Sequence, residues 1–553
     1  MALKRIGRLA STLRYLTAEQ VVYRLYYRAR SLKVEPVKEA ALRSSMRWAS
    51  PGFIQPSTTD GIEFSFLGAK GRIDDSSWNA AQYSKLWLYN LHYLDDLNAV
   101  GIDEQNALAR ALVNRWIEAN PPPFGNGWEP YPLSLRIVNL VKWFARQEAL
   151  EPHWLASLAT QLRALAKQIE YHILGNHLFA NGKALVFGGC YLAGSDADRW
   201  LAKGLQILDR EVNEQFLEDG AHFELSPMYH SILLWDICDL VNLAERVNLP
   251  ELEARLPYWR VVLARGLCWL RSMQHPDGEI AFFNDAAFGV GPVLSGLEVY
   301  ASQLQICLPT TLDSQKDSLM TTYHSPSGYA AINFGVGHKA LLDLAKVGPN
   351  YQPGHAHADT LSFELSLFGQ RVFVNSGTSQ YGEDQERHRQ RGTAAHNTVE
   401  VNGENSSEVW AGFRVARRAF PVLEALEVGP VETRVRAYHT GYRRLRGRNI
   451  HRREWIFKDS ACHVTDEVTG YYRSAVARLH VHPEVIFRWE GVTLIAVLAT
   501  GERVRVVIEG ASSVTLQPST WHPEFGSKIP CQCIAAEFSS GKLVTKISWS
   551  GSV

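Results

Sequence analysis

The sequence predicts an α+β fold of several domains, in which helical hairpins come first and an antiparallel β-sandwich follows. The chain has 553 residues, enough for about two to four domains. From about residue 15 to about residue 310 the apolar residues recur at the period of a helix, and after about residue 320 they alternate with polar residues. The change of period therefore divides the chain into a helical half and a half made of strands.

The helical half is expected to begin with a short helix near residue 17. Thr17 and Gln20 have the spacing of a capping box, so a helix should start at this point. The apolar residues of this helix are expected to face inward: Val21, Val22, Leu25 and Tyr26. Later helices follow one another without strands between them, which is typical either of a solenoid or of a closed α/α toroid.

The strand-rich half contains a predicted β-hairpin. In TLSFELSLFGQRVFVNSGT, residues 360–378, apolar and polar residues alternate on both sides of a turn at Gly369. Similar short alternating runs recur toward the end of the chain. Their spacing is typical of an antiparallel β-sandwich.

The charge balance excludes a general nucleic-acid binder. The 57 Lys and Arg residues equal the 57 Asp and Glu residues, so the chain has no overall positive field. A local exception is the segment from Arg434 to Arg453, which holds eight arginines and no acidic residue. These arginines form either a wall that attracts an anionic polymer or the solvated face of a strand.

The chain is expected to work in the cytoplasm, with the periplasm as the alternative. Its seven cysteines are scattered and odd in number, which fits a reducing compartment. No apolar run resembles the core of a signal peptide, and none reaches the roughly 18 residues of a membrane span. We therefore expect no transmembrane segment.

The strongest local signal for chemistry is the motif PGHAHADTLSFEL. His355 and His357 leave the same face of the chain where it leads into a strand, and Asp359 follows two positions later. Two such imidazoles can ligate a metal, or one can ligate while the other does acid–base work. His396 and Asn375, at other strand ends, could complete a three-ligand site. The alternative is a pair of surface histidines.

The helical half carries further polar groups at two predicted helix starts. Asn176 and His177 lie at the first, where a helix N-terminus can bind a carboxylate, unless Asn176 is simply the helix cap. At the second start Ser226 is a predicted N-cap. Tyr229 would then lie in the first helical turn, with its hydroxyl either facing a cleft or packed in the core.

Four side chains are expected to contact a bound sugar. Trp128 and Tyr131 belong to the glycine-punctuated loop GNGWEPYP and could form a stacking platform, although core packing is the alternative for any single aromatic residue. Glu224 precedes the second helix start, and Arg391 lies five residues before His396. We expect both to bind polar groups of the substrate.

These motifs, taken in order, resemble the heparinase II/III-like family of polysaccharide lyases. The matching stretches are NHLFANGKAL, ELSPMY, GHAHADTLSFEL, VNSGT and RGTAAHNTV. The resemblance implies an N-terminal α/α toroid packed on a C-terminal antiparallel β-sandwich, with the active site in the groove between them. It implies a helical extension over residues 1–80, the toroid over 81–315 and the sandwich over 316–553.

The resemblance also implies catalytic roles. Asn176 or His177 would neutralise the carboxylate of a uronic acid, while Tyr229 and His355 would be the catalytic acid and base. β-Elimination needs these three functions, because the proton at C5 must leave, the charge that develops must be stabilised, and O4 must receive a proton. Which of the two side chains is the base depends on the stereochemistry at C5.

A metal site is the last implication of the resemblance. The ligands of the family's zinc-containing members would fall on His357, Asn375 and His396, so Zn²⁺ or another divalent cation is expected. Those members usually show Asp where this chain has Asn375. Because an amide oxygen is a weaker ligand than a carboxylate, we expect a lower affinity for zinc.

Two other functions compete with a lyase acting on an anionic polysaccharide. A glycoside hydrolase on an α/α toroid would need two carboxylates about 5–9.5 Å apart, for which Glu224 and Asp285 are the candidates. The second is a non-catalytic carbohydrate-binding factor in bacterial exopolysaccharide synthesis. It would bind a polymer without cleaving it.

Overall fold

The computed structural model describes residues 2–43, 46–74, 76–307 and 320–550. Within these ranges helices dominate up to Gln303 and antiparallel sheets follow from Met320, so the predicted order of the two halves is confirmed. The domain boundary expected at 315/316 lies outside the described residues. The first 80 residues hold two helices and a two-stranded sheet, and the boundary expected after them stays a prediction.

The helical half consists of helices that pack mainly on their neighbours along the chain. The innermost, Gly175–Tyr191, is buried over almost its whole length and packs against the helices on either side of it. None of the described helices combines the length and the apolar character that a membrane span requires. The elements of this half are α1 (Ala2–Leu13), α2 (Ala18–Ala29), β1 (Glu63–Phe66), β2 (Ala69–Arg72), α3 (Lys85–Tyr93), α4 (Asn106–Ala119), α5 (Pro130–Phe144), α6 (Pro152–Ala166), α7 (Gly175–Tyr191), α8 (Ser195–Gln215), α9 (Pro227–Arg246), α10 (Pro250–Glu253), α11 (Leu256–Ser272) and α12 (Leu294–Gln303).

Local sequence explains where two of these helices begin. The predicted capping box of Thr17 and Gln20 is present at the start of α2. At the start of α9, Ser226 Oγ accepts a hydrogen bond of 3.2 Å from the Tyr229 N–H. Pro227 occupies the first helical position, where its missing N–H leaves no bond unmade. Both predicted N-caps are therefore confirmed.

The orientation predicted for α2 is wrong. Its four apolar residues face solvent, with exposures of 43% to 62%. The side that packs on the protein instead carries Gln20, Tyr23 and Tyr27, which contact residues 169–173 of the helical half. The inward side is selected by hydrogen bonds to loop carbonyls, a tertiary contact that helical periodicity does not encode.

The strand-rich half contains three larger antiparallel sheets. The predicted hairpin is confirmed as two paired strands, Phe363–Leu367 and Gln370–Phe373, with Gly369 in the turn at a φ of +81°. One sheet has five strands, in the order of the chain: β3 (Met320–His324), β4 (Tyr329–Asn333), β5 (Lys339–Asp343), β6 (Phe363–Leu367) and β7 (Gln370–Phe373).

The other two sheets have eight and four strands. After β7 the chain forms α13 (Gln385–Gln390), β8 (Val399–Val401), β9 (Val409–Trp410) and β10 (Arg414–Val415). The remaining strands are β11 (Pro421–Val428), β12 (Thr433–His439), β13 (His451–Lys458), β14 (Ala461–Val468), β15 (Ala475–His480), β16 (Arg488–Glu490), β17 (Thr493–Val497), β18 (Arg503–Glu509), β19 (Ser513–Trp521), β20 (Ile529–Phe538) and β21 (Lys542–Ser550). The eight-stranded sheet has the order β11-β12-β13-β14-β21-β18-β17-β16, and the four-stranded sheet the order β19-β20-β15-β8.

Apolar cores hold the sheets together and join them to the helices. The main core of this half includes Phe363 of β6 and Trp455 of β13, which belong to different sheets. A smaller core packs Trp269 of α11 against Tyr329 of β4 and Leu341 of β5. The two halves therefore share buried apolar surface, which fixes their relative position.

Half of the arginine-rich segment is a salt-bridged face of the sheet, since four of its eight arginines pair with acidic residues. Arg452 Nε lies 2.7 Å from a carboxylate oxygen of Glu424, and Arg434 lies 3.6 Å from Glu454. Arg453 is buried and paired with Asp466 at 2.7 Å. Acidic residues on neighbouring strands thus balance charges that look unpaired along the segment itself.

Candidate active site

The predicted catalytic residues meet at the junction of the two halves. Asn176 and His177 lie in the first turn of α7, and Tyr229 lies in the first turn of α9. His355 comes from the loop between β5 and β6. The rings of Tyr229 and His355 are in contact, with their centroids 3.8 Å apart. One side chain from the helical half and one from the strand-rich half therefore form the centre of the site.

Glu224 links this pair to the start of α7. Its carboxylate lies 3.5 Å from His355 Nε2. Burial raises the pKa of Glu224, while His355, the Asn176 backbone N–H and His177 lower it in part. The predicted substrate-binding residue thus faces the imidazole of His355 from inside the site.

Asp285 is hydrogen-bonded to three other residues of the site. Its carboxylate accepts bonds from His355 Nδ1 at 2.9 Å, from His357 Nε2 at 2.8 Å and from the guanidinium of Arg387. Burial alone would raise the pKa of Asp285, but Arg387 and the two histidines hold it well below its usual range. An ionised carboxylate only accepts hydrogen bonds, so the proton of neutral His355 lies on Nδ1 and Nε2 keeps its lone pair.

Tyr229 is in its protonated form. Burial raises its pKa well above the usual value, and Tyr381 and Asp285 raise it further. The two tyrosine hydroxyls are 2.8 Å apart. A basic role for Tyr229 would require a neighbouring cation to lower its pKa, whereas the surroundings here favour a hydroxyl that donates a proton.

The surroundings of His177, near Tyr229 and His355, favour its charged form. Its Nδ1 lies 2.9 Å from the carboxylate of Glu170. Burial would lower the pKa of His177, but the charge and hydrogen bond of Glu170, together with Glu224, raise it overall. A cationic imidazole at the start of α7 is suited to attract a carboxylate.

Asn176 is not the cap of α7. Leu174 occupies the N-cap position and provides no side-chain cap. Asn176 is buried, and its Oδ1 has no hydrogen-bond partner among the described residues. Its amide is therefore available to a ligand, and the alternative interpretation of Asn176 as a simple cap is wrong.

The two aromatic residues expected to stack on sugar separate in the structure. Tyr131 is half-buried and packs on His177, with ring centroids 4.4 Å apart. Trp128 is only 4% exposed, and its Nε1–H donates a hydrogen bond to the Asn120 carbonyl. Trp128 belongs to the core because a short helical turn folds its loop inward, so a stacking role for it is wrong.

Arg391 also does not face the site. It is fully buried, and its guanidinium donates hydrogen bonds to the carbonyls of Ala356, Ala411 and Gly412. Burial lowers its pKa to about 9. Arg391 therefore holds neighbouring loops in place, and the expectation that it binds substrate is wrong.

A group of three buried side chains could hold a metal ion. One ligand atom each from His357, Asp359 and His396 lies within 4.8 Å of the others. His357 Nδ1 and His396 Nε2 have no hydrogen-bond partner among the described residues. Burial raises the pKa of Asp359, and a cation would favour its ionised form. This donor set fits a divalent metal such as zinc.

Asn375 occupies a different place from the one we expected. Its Oδ1 accepts hydrogen bonds from His396 Nδ1 at 3.2 Å and from the Asn397 N–H at 3.3 Å. Because these bonds engage the amide oxygen, Asn375 orients His396, and Asp359 is the residue that could supply the third ligand atom. The expected ligand set is corrected in this one position.

A cavity of about 200 Å³ extends from Tyr229 into the helical half. Its charged lining is mostly paired: Lys183 lies 2.6 Å from Asp236 and 2.5 Å from Asp239. Tyr131 and Tyr229 border the same cavity. The cavity therefore offers a sugar a mixed apolar and hydrogen-bonding surface beside the catalytic groups.

Sequence reasoning missed three residues that shape the site. Asp285 was considered only as a hydrolase carboxylate, and neither Tyr381 nor Arg387 was singled out. The ring of Tyr381 lies 4.9 Å from the Arg387 guanidinium carbon, and its hydroxyl contacts Tyr229. The motif FFNDAAFG offered the only signal, a lone acidic residue among apolar ones.

Comparison with known protein families covers most of the chain. The family model described as Heparinase II/III N-terminus matches residues 2–299, and the model described as Heparinase II/III-like, C-terminal, matches residues 323–550. These two models follow each other in the order that the sequence motifs predicted.

Curated relatives and solved structures agree with this match. The heparin-sulfate lyase of Bacteroides stercoris is 22% identical over 410 residues, which are 70% of this chain and 59% of that enzyme. That of Pedobacter heparinus is 24% identical over 344 residues, 59% of this chain and 49% of that enzyme. The chain thus spans about half to three fifths of the length of these relatives.

Two solved structures share the fold. The crystal structure of heparinase III has a TM-score of 0.68 at 19% identity and covers 88% of this chain and 80% of its own. The heparan sulfate lyase of Pedobacter heparinus has a TM-score of 0.58 at 18% identity, with coverage of 97% and 88%. The fold is an α/α toroid joined to an antiparallel β-sandwich, as predicted. The family resemblance is likewise confirmed: this chain belongs to the heparinase II/III family.

Proposed function

We propose that the protein is a polysaccharide lyase that cleaves a uronate-containing polysaccharide by β-elimination. The observation that carries the proposal is the contact between Tyr229 and His355, with His177 and Asn176 beside them at the start of α7. Membership of the family and the names of the curated relatives, both heparin-sulfate lyases, support it. The substrate class is accordingly an anionic polysaccharide.

The start of α7 would receive the carboxylate of the uronic acid. The imidazole of His177, whose pKa Glu170 raises, and the amide of Asn176, whose Oδ1 has no hydrogen-bond partner among the described residues, are both available there. Neutralising this carboxylate makes the C5 proton more acidic, because the negative charge that develops beside it is then stabilised. Tyr131, whose ring packs on His177, would support the sugar ring.

His355 is suited to be the base and Tyr229 the acid. The bond to Asp285 leaves a lone pair on His355 Nε2, which takes the proton from C5. The electrons of that C–H bond form the C4–C5 double bond, and the bond between C4 and O4 breaks. Tyr229, held in its protonated form, then gives its proton to the departing O4. Atoms and charge balance without another reactant.

A metal ion such as zinc, bound at the candidate metal site, would help to hold the proposed base in position. His357, Asp359 and His396 would be its ligands. A bound cation would supply positive charge and fix the His357 ring. Because His357 and His355 both bond to Asp285, His357 also helps to fix the orientation of the proposed base.

The hydrolase alternative fits this geometry poorly. A hydrolase needs two carboxylates on either side of the scissile bond. Asp285 is fully buried and bonded to Arg387, His355 and His357, so it has no free side toward a sugar. Glu224 alone does not provide the required pair.

The ultraviolet absorbance of an unsaturated uronide is the direct test. We expect absorbance to rise when the purified protein is mixed with the right member of a panel of heparan sulfate, hyaluronan, alginate, polyglucuronate and bacterial exopolysaccharides. Tyr229→Phe and His355→Ala should each remove the activity. The matched exposed variants Tyr258→Phe and His153→Ala should retain it.

Proton exchange at C5 separates the two roles. With substrate in heavy water, Tyr229→Phe should still exchange the C5 proton, whereas His355→Ala should not. New reducing ends without the absorbance would instead indicate a hydrolase. Binding of a polymer without cleavage would indicate a carbohydrate-binding factor, and either result would refute the proposal.

A further inference from the structure

The first two helices, α1 and α2, are joined by a short loop, and each presents an apolar side to solvent. In α1 the outward residues are Ile6, Leu9 and Leu13, exposed by 62%, 42% and 53%. Their spacing of three and four positions places them on one face of the helix. An isolated exposed apolar residue is ordinary, but a continuous stripe on a helix marks a surface that binds something.

The polar side of α1 packs on the protein instead. Thr12 Oγ1 accepts a hydrogen bond of 3.1 Å from Trp410 Nε1, and Arg8 lies 3.8 Å from Glu408. Both partners belong to the strand-rich half. The contacts that anchor α1 are therefore polar, and they leave its apolar face outward.

In α2, too, the polar side packs on the protein and the apolar side faces solvent. Gln20 Nε2 donates hydrogen bonds of 3.3 Å to the carbonyls of Ile173 and Tyr351, and the Tyr27 hydroxyl donates one to Ile169. The opposite side of α2 is exposed by 43% to 62%: Val21, Val22, Leu25 and Tyr26. We call these two outward sides, seven residues in all, the hairpin face.

The segment that carries the hairpin face is rich in positive charge. Residues 2–30 contain one acidic residue, Glu19, and seven basic ones: Lys4, Arg5, Arg8, Arg14, Arg24, Arg28 and Arg30. Glu19 is itself paired with Arg210 at 3.0 Å. Arg5, Arg14 and Arg28 are exposed. The surface that would contact the hairpin face must therefore combine apolar character with negative charge.

We propose that the hairpin face docks on the surface of a lipid bilayer with anionic headgroups. Apolar side chains flanked by arginines match the boundary between headgroups and acyl chains. Each helix has 12 residues, which suits a helix lying on a membrane and not one crossing it. A second copy of the chain is a poorer occupant, because it would bring two positively charged faces together.

Vesicle flotation with the full chain tests this proposal. The probes are vesicles of phosphatidylcholine alone and vesicles in which about a third of the lipid is phosphatidylglycerol. We expect binding to the second kind only, weakened by 0.5 M salt. Equal binding to both kinds, or binding to neither, would overturn the proposal.

Two triple variants separate the apolar and the charged contributions. Ile6→Ser with Val22→Ser and Leu25→Ser should weaken binding on the order of 100-fold, because each side chain loses its apolar contact. Arg5→Gln with Arg14→Gln and Arg28→Gln should weaken it by about 100-fold as well. All six positions are exposed, so thermal unfolding should be unchanged.

A matched control uses exposed apolar residues of the sandwich. Val431, Ile486 and Val492 are exposed by 71%, 56% and 86%, and replacing them with Ser should leave binding intact. Equal loss in this control would refute a specific role for the hairpin face. If light scattering shows a dimer that the Ile6, Val22 and Leu25 substitutions dissociate, the face is an interface between copies and the lipid proposal fails.

Discussion

Asp285 and His355 are joined by a hydrogen bond of 2.9 Å between Oδ2 and Nδ1. The other oxygen of Asp285 is bonded to His357 at 2.8 Å, so one carboxylate orients both the proposed base and a proposed metal ligand. Arg387 balances its charge in the same buried place. The proposed catalytic residues and the candidate metal ligand His357 therefore belong to one polar network.

Replacing Asp285 with Asn tests this network. The amide can donate a proton to His355 Nδ1 and so can place the imidazole proton on Nε2, the atom that must be free. We expect kcat to fall by about 10²–10⁴-fold, a typical contribution of acid–base catalysis, with a smaller change in KM. Steady-state kinetics on the absorbance assay measures the split.

Asp285→Asn should also destabilise the fold, because it leaves the buried Arg387 without its counter-charge. We expect a loss of about 3–5 kcal/mol in the free energy of unfolding, measured by urea denaturation. The surface variant Asp209→Asn, which breaks an exposed pair with Arg255, should cost under about 1 kcal/mol. Unchanged activity in Asp285→Asn would contradict the orienting role.

Tyr381 is expected to influence the pKa of Tyr229, the proposed acid. The hydroxyl of Tyr381 contributes to the raised pKa of Tyr229, after burial as the main cause. Tyr381→Phe should lower the pKa of Tyr229, so the alkaline limb of the pH profile of kcat should move to lower pH. The buried control Tyr300→Phe, bonded to Asp239, should leave that limb in place. A shift to higher pH would count against Tyr229 as the acid.

His177 gives substrate binding a pH dependence of its own. Glu170 raises the pKa of His177, so its charge is present at low pH and is lost as pH rises through this raised pKa. The stability that the pair contributes is complete below the unfolded value of about 6.5 and is lost over the same rise. We therefore expect KM to increase with rising pH.

In Glu170→Gln the pKa of His177 should fall, so KM should begin to increase at a lower pH than in the native protein. The exposed variant Glu245→Gln, which pairs with Arg260, should leave the profile of KM unchanged. The measurement is KM for the cleaved polymer from about pH 5 to 9. A KM that does not vary with pH in the native protein would exclude a charged His177 from substrate binding.

The metal site can be tested without an activity assay. We expect elemental analysis to find about one zinc or other divalent ion per chain, and Asp359→Asn and His396→Ala to lose it. Removing the metal with a chelator should lower the free energy of unfolding by about 4 kcal/mol when the ion is present at about 1,000 times its Kd. His153→Ala, an exposed histidine, should keep both the ion and the stability.

The sequence was most informative where one short motif contains all the chemistry. His355, His357 and Asp359 lie within five residues, and Tyr229 follows its own N-cap, so their positions could be predicted from local rules. Asp285 and Arg387 are 102 positions apart and meet only through packing. Periodicity carries no information about such contacts, which explains why their role was missed.

The sequence also did not reveal how helix α2 is oriented on the protein. The capping box of α2 was predicted correctly, but the side of α2 that packs inward was not. Polar contacts made by Gln20 and Tyr27 overrode the usual inward preference of Val22 and Leu25. Local rules therefore located this helix without fixing its orientation.

Trp128 and Tyr131 lie three positions apart, but we expect their replacement by Ala to affect different properties: stability for Trp128 and KM for Tyr131. Trp128→Ala removes a buried side chain and should cost about 3–5 kcal/mol of stability with little change in KM for the protein that remains folded. Tyr131→Ala removes a half-buried ring that stacks on His177, so it should raise KM several-fold at nearly native stability. Denaturation and kinetics on both variants measure the contrast. A raised KM in Trp128→Ala at native stability would restore the stacking role that its burial argues against.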